Sequence, residues 1–396
     1  MTIRAADRAG LGFDANPEHD LLRQTVRDFF RNELPPERIR ELDRAGEPIP
    51  RDLWRRMGEL GWLGIPVPRR YGGTEGDVLV ATAFVEEVGR HWASPAADFV
   101  LVSMMGRLLT SFGTEEQKEL ILTGLASGEL IGAISLTEPG GGTDLLSLHT
   151  RAQLEEGEWV IRGQKLYTSC APTADYLCVL CRTDEPTEGK RARGLSLLLT
   201  PAKQDAVHIR KLELLGFRSA GTSEVWYDGA RSPESWLVGE RGRGFYHLIS
   251  SLNDERIMAA AMGVGIATAA SEEALRYAKE REAFGRPIGQ FQALQHYLAD
   301  MATEIEMVRL LVQKAAWLLN EGRPCSLEAA MANVAAGEAA VRVTDKGMRI
   351  LAGHGMTEDS PMERYLRDAR LQVFSPISNE MGRNTIGELL GLPRSY

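Results

Sequence analysis

The sequence has no excess of positive charge: 46 Lys and Arg stand against 55 Asp and Glu, a net charge of -9. With a pI near 5.5, that excludes a broad basic surface for nucleic acid. A phosphorylated cofactor, which needs only a few local cations or helix N-termini, remains compatible. Cysteine is also scarce. Four in 396 residues are too few for a disulfide scaffold. Cys178 and Cys181 spell C-x-x-C but lie in the apolar run Tyr176–Cys181, which reads as a strand. Positions three apart on a strand face opposite sides, so strand packing is expected there rather than metal or redox chemistry. None of the seven histidines has metal-ligand spacing, and no metal is expected. The longest uncharged apolar stretch, Ile257–Ala270, has 14 residues, too few to cross a bilayer. The first ten residues, MTIRAADRAG, hold no apolar segment of the signal-peptide kind, so a cytoplasmic protein without a membrane contact is expected. No G-x-G-x-x-G follows a strand, which argues against a doubly wound dinucleotide domain.

What is present falls into three textures. Residues 1–130 show helical periodicity with charged faces, as in Leu21–Glu33 and Gln117–Leu125, interrupted by the turn-rich Pro66–Gly73. Residues 131–237 carry short alternating or β-branched runs (Glu158–Arg162, Tyr176–Arg182, Leu195–Thr200, Glu224–Tyr227) between turn clusters such as EPGGGTD and TDEPTEG. That pattern predicts an antiparallel sheet or small barrel. Residues 238–396 return to long helices, predicted over Leu252–Glu280, Gln290–Leu319 and Ser326–Leu351, the first of them well buried. The order is α+β, with the sheet as a separate middle domain.

Three segments carry chemistry. Leu136 to Asp144 reads LTEPGGGTD, a loop whose glycines let backbone N–H groups face outward between two threonine hydroxyls. Gly163 to Ser169 reads GQKLYTS, an aromatic followed by two hydroxyls at a strand end, able to cover a flat ring and bond its edge. Arg281 to Ile288 reads REAFGRPI, two arginines at a helix break that could hold a diphosphate. Taken singly, each has an ordinary structural explanation: a turn, a packed tyrosine, a solvated loop.

Together with LGFRSAGTSEVWYD, GERGRGF, LNDERIMAA, FQALQ, LAGHG and RDAR, in this order, they resemble the acyl-CoA dehydrogenase family over essentially the whole chain. The resemblance implies a helical N-terminal domain, a β-barrel-like middle domain and a C-terminal four-helix bundle, usually assembled as a homotetramer. It implies FAD as cofactor. Leu136 and Thr137 would meet the isoalloxazine, with Tyr167 and Ser169 against it and Tyr167 where the family usually has tryptophan. Gly142 and Thr143 belong to the loop that would hold the pyrophosphate, Thr143 alternatively the substrate's pantetheine. Arg281, Phe284 and Gln292 would grip the adenine half of a neighbouring subunit's FAD. Arg349 (in place of a usual glutamine) and Gly353 would meet the same FAD. Ser378 keeps a hydroxyl where the family has threonine, and Glu380 would face the FAD side.

The reaction of that family needs a base for the α-proton, a flavin that accepts the β-hydride, and hydrogen bonds that polarise the thioester carbonyl. In most members a glutamate after the RDA-(K/R) segment is the base and its own N–H is one carbonyl donor. Here that position is Pro376, in FSPISNEM, which has neither carboxylate nor N–H. A minority of the family keeps its base on the long central helix, and the matching residue is Glu255, with Arg256 beside it to orient the pantetheine or Glu255 itself. The expectation is therefore dehydrogenation of an acyl thioester, on coenzyme A or a carrier protein, to the 2,3-enoyl product. Electrons would leave to an electron-transferring flavoprotein or O2. Two alternatives stay open: an oxygen-dependent flavin enzyme of the same fold, and a catalytically silent subunit of a heteromeric complex.

Overall fold

The computed structural model describes residues 17–186 and 191–394. MTIRAADRAG and part of TDEPTEG lie outside the described residues.

The first helices are α1 (Pro17–Glu33), α2 (Pro36–Ala45), α3 (Arg51–Glu59), α4 (Val78–His91) and α5 (Ala93–Phe112). Two of these starts have a clear local cause. Proline opens α2, where its missing N–H is harmless, and the Asp77 carboxylate caps α4 by accepting from Val80 N at 2.9 Å. The stretch predicted as Gln117–Leu125 is a compound helix: α6 (Glu115–Gln117), a π turn (Lys118–Leu122) and α7 (Thr123–Ser127). It begins at a Thr114–Gln117 capping box.

The middle of the chain forms an eight-stranded sheet, β1 (Gly132–Ser135), β2 (Arg151–Glu155), β3 (Glu158–Thr168), β4 (Tyr176–Arg182), β5 (Leu195–Pro201), β6 (Val207–Lys211), β7 (Ser223–Pro233) and β8 (Leu237–Val238). The strand order is β6-β7-β3-β2-β4-β5-β8, with β1 on β4. The pairing is mostly antiparallel, with parallel exceptions. β1 runs parallel to β4, Gly132 opposite Tyr176. Parallel pairing needs a long crossover, and the loop, β2 and β3 that follow β1 supply it. β4 is buried along nearly its whole length, so Cys178 and Cys181 both pack as core residues on its opposite faces.

The C-terminal part is built on α8 (Gly244–Glu280), 37 residues and about 55 Å long at 1.5 Å per residue. It starts two turns before the predicted Leu252, because Gly244 seats against Ser196 and Leu197 of β5 where no Cβ would fit. After a small hairpin, β9 (Glu282–Ala283) and β10 (Arg286–Pro287), come α9 (Gln292–Asn320), α10 (Ser326–Leu351), α11 (Met362–Ala369) and α12 (Asn379–Leu389). The bundle has three long helices and a short fourth, α12. Small residues set its close spacing: a Cβ on Gly263 would press on Ala336 of α10, and one on Gly265 would collide with Glu86 of α4. α8 is thus the shared wall between the N-terminal and C-terminal helices. Among the described residues no helix is long and apolar enough to cross a membrane.

Candidate active site

The loop after β1 and the end of β3 are stitched together. Leu166 N donates to Thr137 O at 2.8 Å, and the Lys165 ammonium donates to Leu136 O at 2.8 Å and to the Glu138 carboxylate at 2.9 Å. Lys165 is fully buried and Glu138 nearly so. Glu138 also accepts the backbone N–H groups of His149 and Thr150, at 2.6 and 2.9 Å. Burial pushes the Glu138 pKa up, but Lys165 and these donors outweigh it and hold the carboxyl below its ordinary value. Burial also holds Lys165 below the ordinary lysine value despite Glu138. The two shifts pull the pair in opposite senses. The short contacts and the full donor set favour the ionised pair. Sequence reading quoted both residues without giving either a role; a lysine at an inward strand position was the signal.

Beyond this knot, Tyr167 stands 60% exposed with φ +59°. A bulky residue in left-handed backbone is strained, and that strain turns the ring outward at the strand end. Thr168 bonds Ser135 at 3.0 Å, which also accepts the Tyr227 hydroxyl at 2.9 Å, and Ser169 bonds Thr222 at 2.7 Å. Gly140 faces open space, and Gly142 and Thr143 are exposed on the same loop. Leu136, Thr137, Tyr167 and Ser169 are therefore brought together as expected. A flat exposed ring, flanking hydroxyls and an open glycine loop fit an isoalloxazine and the phosphates beyond it.

The rest of the expected cofactor set gathers elsewhere. Arg281, Phe284 and Gln292 sit at the far end of α8, all exposed, Phe284 95% so and with φ +53°. Gly353 and Arg349 join them there. His354 stacks on Tyr277 with ring centres 5.2 Å apart, and Arg349 approaches Tyr297 while pairing with Asp345 at 2.8 Å. Arg281 is 26 residues beyond Glu255 on α8, about 39 Å along the axis. Arg281, Phe284 and Gln292 are thus grouped with Arg349 and Gly353 at the C-terminal end of α8. Ser378 has a local task instead, capping α12 through Met381 N at 3.3 Å, and Glu380 is exposed on the first turn of that helix.

Glu255 lies on α8, partly covered. Burial lifts its carboxyl to about 7, against the pull of the adjacent Arg256. Among the described residues no hydrogen bond or ion pair closer than that charge is found for the carboxylate. Its neighbour Asp254 pairs with Arg107 of α5 at 3.3 Å. Pro376 follows Ser375 in the segment between α11 and α12 and supplies no donor. Among the described residues no cluster of three His, Cys, Asp or Glu could hold a metal ion.

Burial raises two further carboxyls to about 7: Asp98, against a hydrogen bond from Cys170, and Asp368, where the nearby Asp43 adds to burial. An acid with a raised folded-state pKa keeps its proton through the range where the unfolded chain has lost it. Stability contributed this way is full below about pH 4 and is lost as pH rises from there through about 7. Glu87, held down to about 2 by His91 and Arg27 despite burial, acts only on the acid side, below about pH 4. The urea midpoint is expected to be higher at pH 5.5 than at pH 8, by stability on the order of a few kcal/mol. An equal or higher midpoint at pH 8 would contradict these assignments.

Known proteins resemble this chain in sequence and in fold. Residues 16–129, 133–230 and 242–391 match the N-terminal, middle and C-terminal domains described for acyl-CoA dehydrogenases. A probable acyl-CoA dehydrogenase of Bacillus subtilis is 38% identical, over 96% of this chain and 100% of its own. The structure of butyryl-CoA dehydrogenase from Megasphaera elsdenii superposes with a TM-score of 0.90 at 31% identity, covering 96% of this chain and 100% of that one. A prolyl acyl carrier protein oxidase superposes with a TM-score of 0.87 at 28% identity, covering 95% and 100%.

Proposed function

Because the chain belongs to the acyl-CoA dehydrogenase family, FAD-dependent oxidoreductases acting on CH–CH groups, we propose that it converts an acyl thioester to its 2,3-enoyl product with Glu255 as the base. The observation that carries this reading is a carboxylate on the central helix beside Arg256, which burial raises to about 7. A base poised near working pH is half deprotonated there and still basic enough to take a weakly acidic α-proton. Bound FAD would accept the β-hydride. The residues assigned to hold it are Leu136, Thr137, Gly142, Thr143, Tyr167 and Ser169 from one protomer, and Arg281, Phe284, Gln292, Arg349 and Gly353 from another. Ser378 and Glu380 are the remaining members of the set. Arg256 offsets charge at Glu255 and is the candidate partner for the pantetheine arm.

Coenzyme A and a carrier protein present the same arm, and the likenesses include both a butyryl-CoA dehydrogenase and a carrier-protein oxidase. The test is anaerobic mixing of the flavin-loaded protein with a panel of acyl-CoA and carrier-bound acyl groups, following loss of the oxidised flavin band. Bleaching by one class assigns the carrier. Pro376 gives a second reading its specific support: without a backbone donor there, a substrate lacking a thioester carbonyl loses nothing. No bleaching by any thioester, together with fast reoxidation of chemically reduced flavin by O2, would favour that oxygen-dependent reading.

A further inference from the structure

A cavity of about 310 Å³ opens beside α5 with apolar walls from Leu42, Ile49 and Ile131 and polar groups from Trp54, Asp98 and Cys170. It lies away from Glu255. Asp98 is nine residues before Arg107 on α5, about 13 Å along the helix, and Arg107 is the residue that meets α8 beside Glu255. The volume suits a small organic molecule.

Its polar groups are unequally satisfied. The Asp98 carboxylate accepts one hydrogen bond, from the Cys170 thiol at 3.1 Å, and among the described residues no cation pairs with it. The thiol stays protonated, since burial and Asp98 itself drive its pKa well above the ordinary value. The cations in the lining are committed elsewhere: Arg51 to Asp175 at 2.9 Å and Arg38 to Glu41 at 3.1 Å. The Trp54 indole N–H is buried with no partner. A buried carboxylate without a counter-charge is costly to ionise, and a ligand that brings its own cation removes that cost while adding charge-assisted hydrogen bonds. A carboxylate ligand would meet like charge, and an alcohol would lack the charge assistance.

We propose that this cavity binds a small organic ammonium compound, its N–H groups donated to Asp98 and its apolar body lying against Leu42, Ile49 and Ile131. The proposal is independent of the identity of the base.

The experiment titrates the purified flavin-loaded protein with butylammonium, benzylammonium, 1-butanol and butyrate by calorimetry and thermal melting. The ammonium ions are expected to bind saturably and raise the melting temperature, the alcohol about tenfold or more weakly, and butyrate not at all. Asp98→Asn keeps the shape and is expected to weaken ammonium binding by about tenfold or more. Ile49→Phe leaves Asp98 intact, fills the cavity and is expected to block binding, so the outcome does not rest on one variant folding. Glu255→Gln is expected to leave it unchanged. The proposal is overturned if no ammonium ion binds saturably, if butyrate binds as well as butylammonium, or if both cavity variants bind as the unchanged protein does.

Discussion

Replacing Glu255 with glutamine is expected to slow anaerobic flavin bleaching by an acyl thioester about 100- to 10,000-fold, the contribution of a positioned general base. The amide has nearly the carboxylate's shape, so flavin content and substrate affinity should hold while the rate falls, a kcat effect more than a KM effect. The unchanged enzyme should show kcat/KM rising with pH and levelling off above about 7, since the reactive form is the deprotonated one and burial places the carboxyl there. The rise should vanish in Glu255→Gln. A variant that bleaches at the unchanged rate would remove Glu255 from the mechanism and return attention to the segment around Pro376. Ser375→Glu is no substitute test, because a side chain one position from Pro376 cannot be assumed to face the same space.

Lys165→Met should have the largest effect on stability. Lys165 is fully buried, and its ammonium holds Glu138 and Leu136 O, so methionine leaves a buried carboxylate without its cation and a carbonyl without its donor. Removing one partner of a buried pair costs about 3–5 kcal/mol, read as a shift in the urea midpoint. Because the same contacts fix the backbone on which Leu136 and Thr137 lie, flavin per chain after gel filtration should fall as well. Glu138→Gln leaves the buried ammonium without its counter-charge and sets an amide donor against one of the two backbone N–H groups, so it should be destabilised comparably. The double variant Lys165→Met with Glu138→Leu should be less destabilised than the sum of its parts, since no uncompensated charge remains. A single Lys165→Met chain as stable as the original would mean that the pair is not ionised as the geometry indicates.

The helices were legible from periodicity because their buried faces are long: α10 was predicted residue for residue, and α9 within two residues at one end and one at the other. The start of α8 was not, because Gly244 to Ser251 owe their helical state to docking on β5, a contact far away in sequence. The parallel placement of β1 on β4 was hidden for the same reason, since alternation reports which face is buried and not which strand lies alongside. At the site, the loop and strand residues that meet one another could be named from motifs. Their partners could not: nothing in GQKLYTS says that the lysine turns inward to a glutamate 27 residues earlier. Asp98 was invisible in the same way, an acid in an apolar helix whose meaning depends on Cys170 and a cavity assembled from α2, α3 and β1.

The shared wall formed by α8 also sets a timing problem during synthesis. α4 emerges with most of its surface apolar, and α8 packs on it more extensively than any other helix does, with Gly265 against Glu86. About 150 residues separate the two helices in the chain. At roughly 5–20 residues per second a ribosome takes about 10–30 s to deliver the covering helix. For that interval the sheet can form on its own contacts, while the parts of α4 and α5 that pack on α8 stay uncovered. A nascent chain stalled after β8 should therefore be a holdase substrate through its first helices.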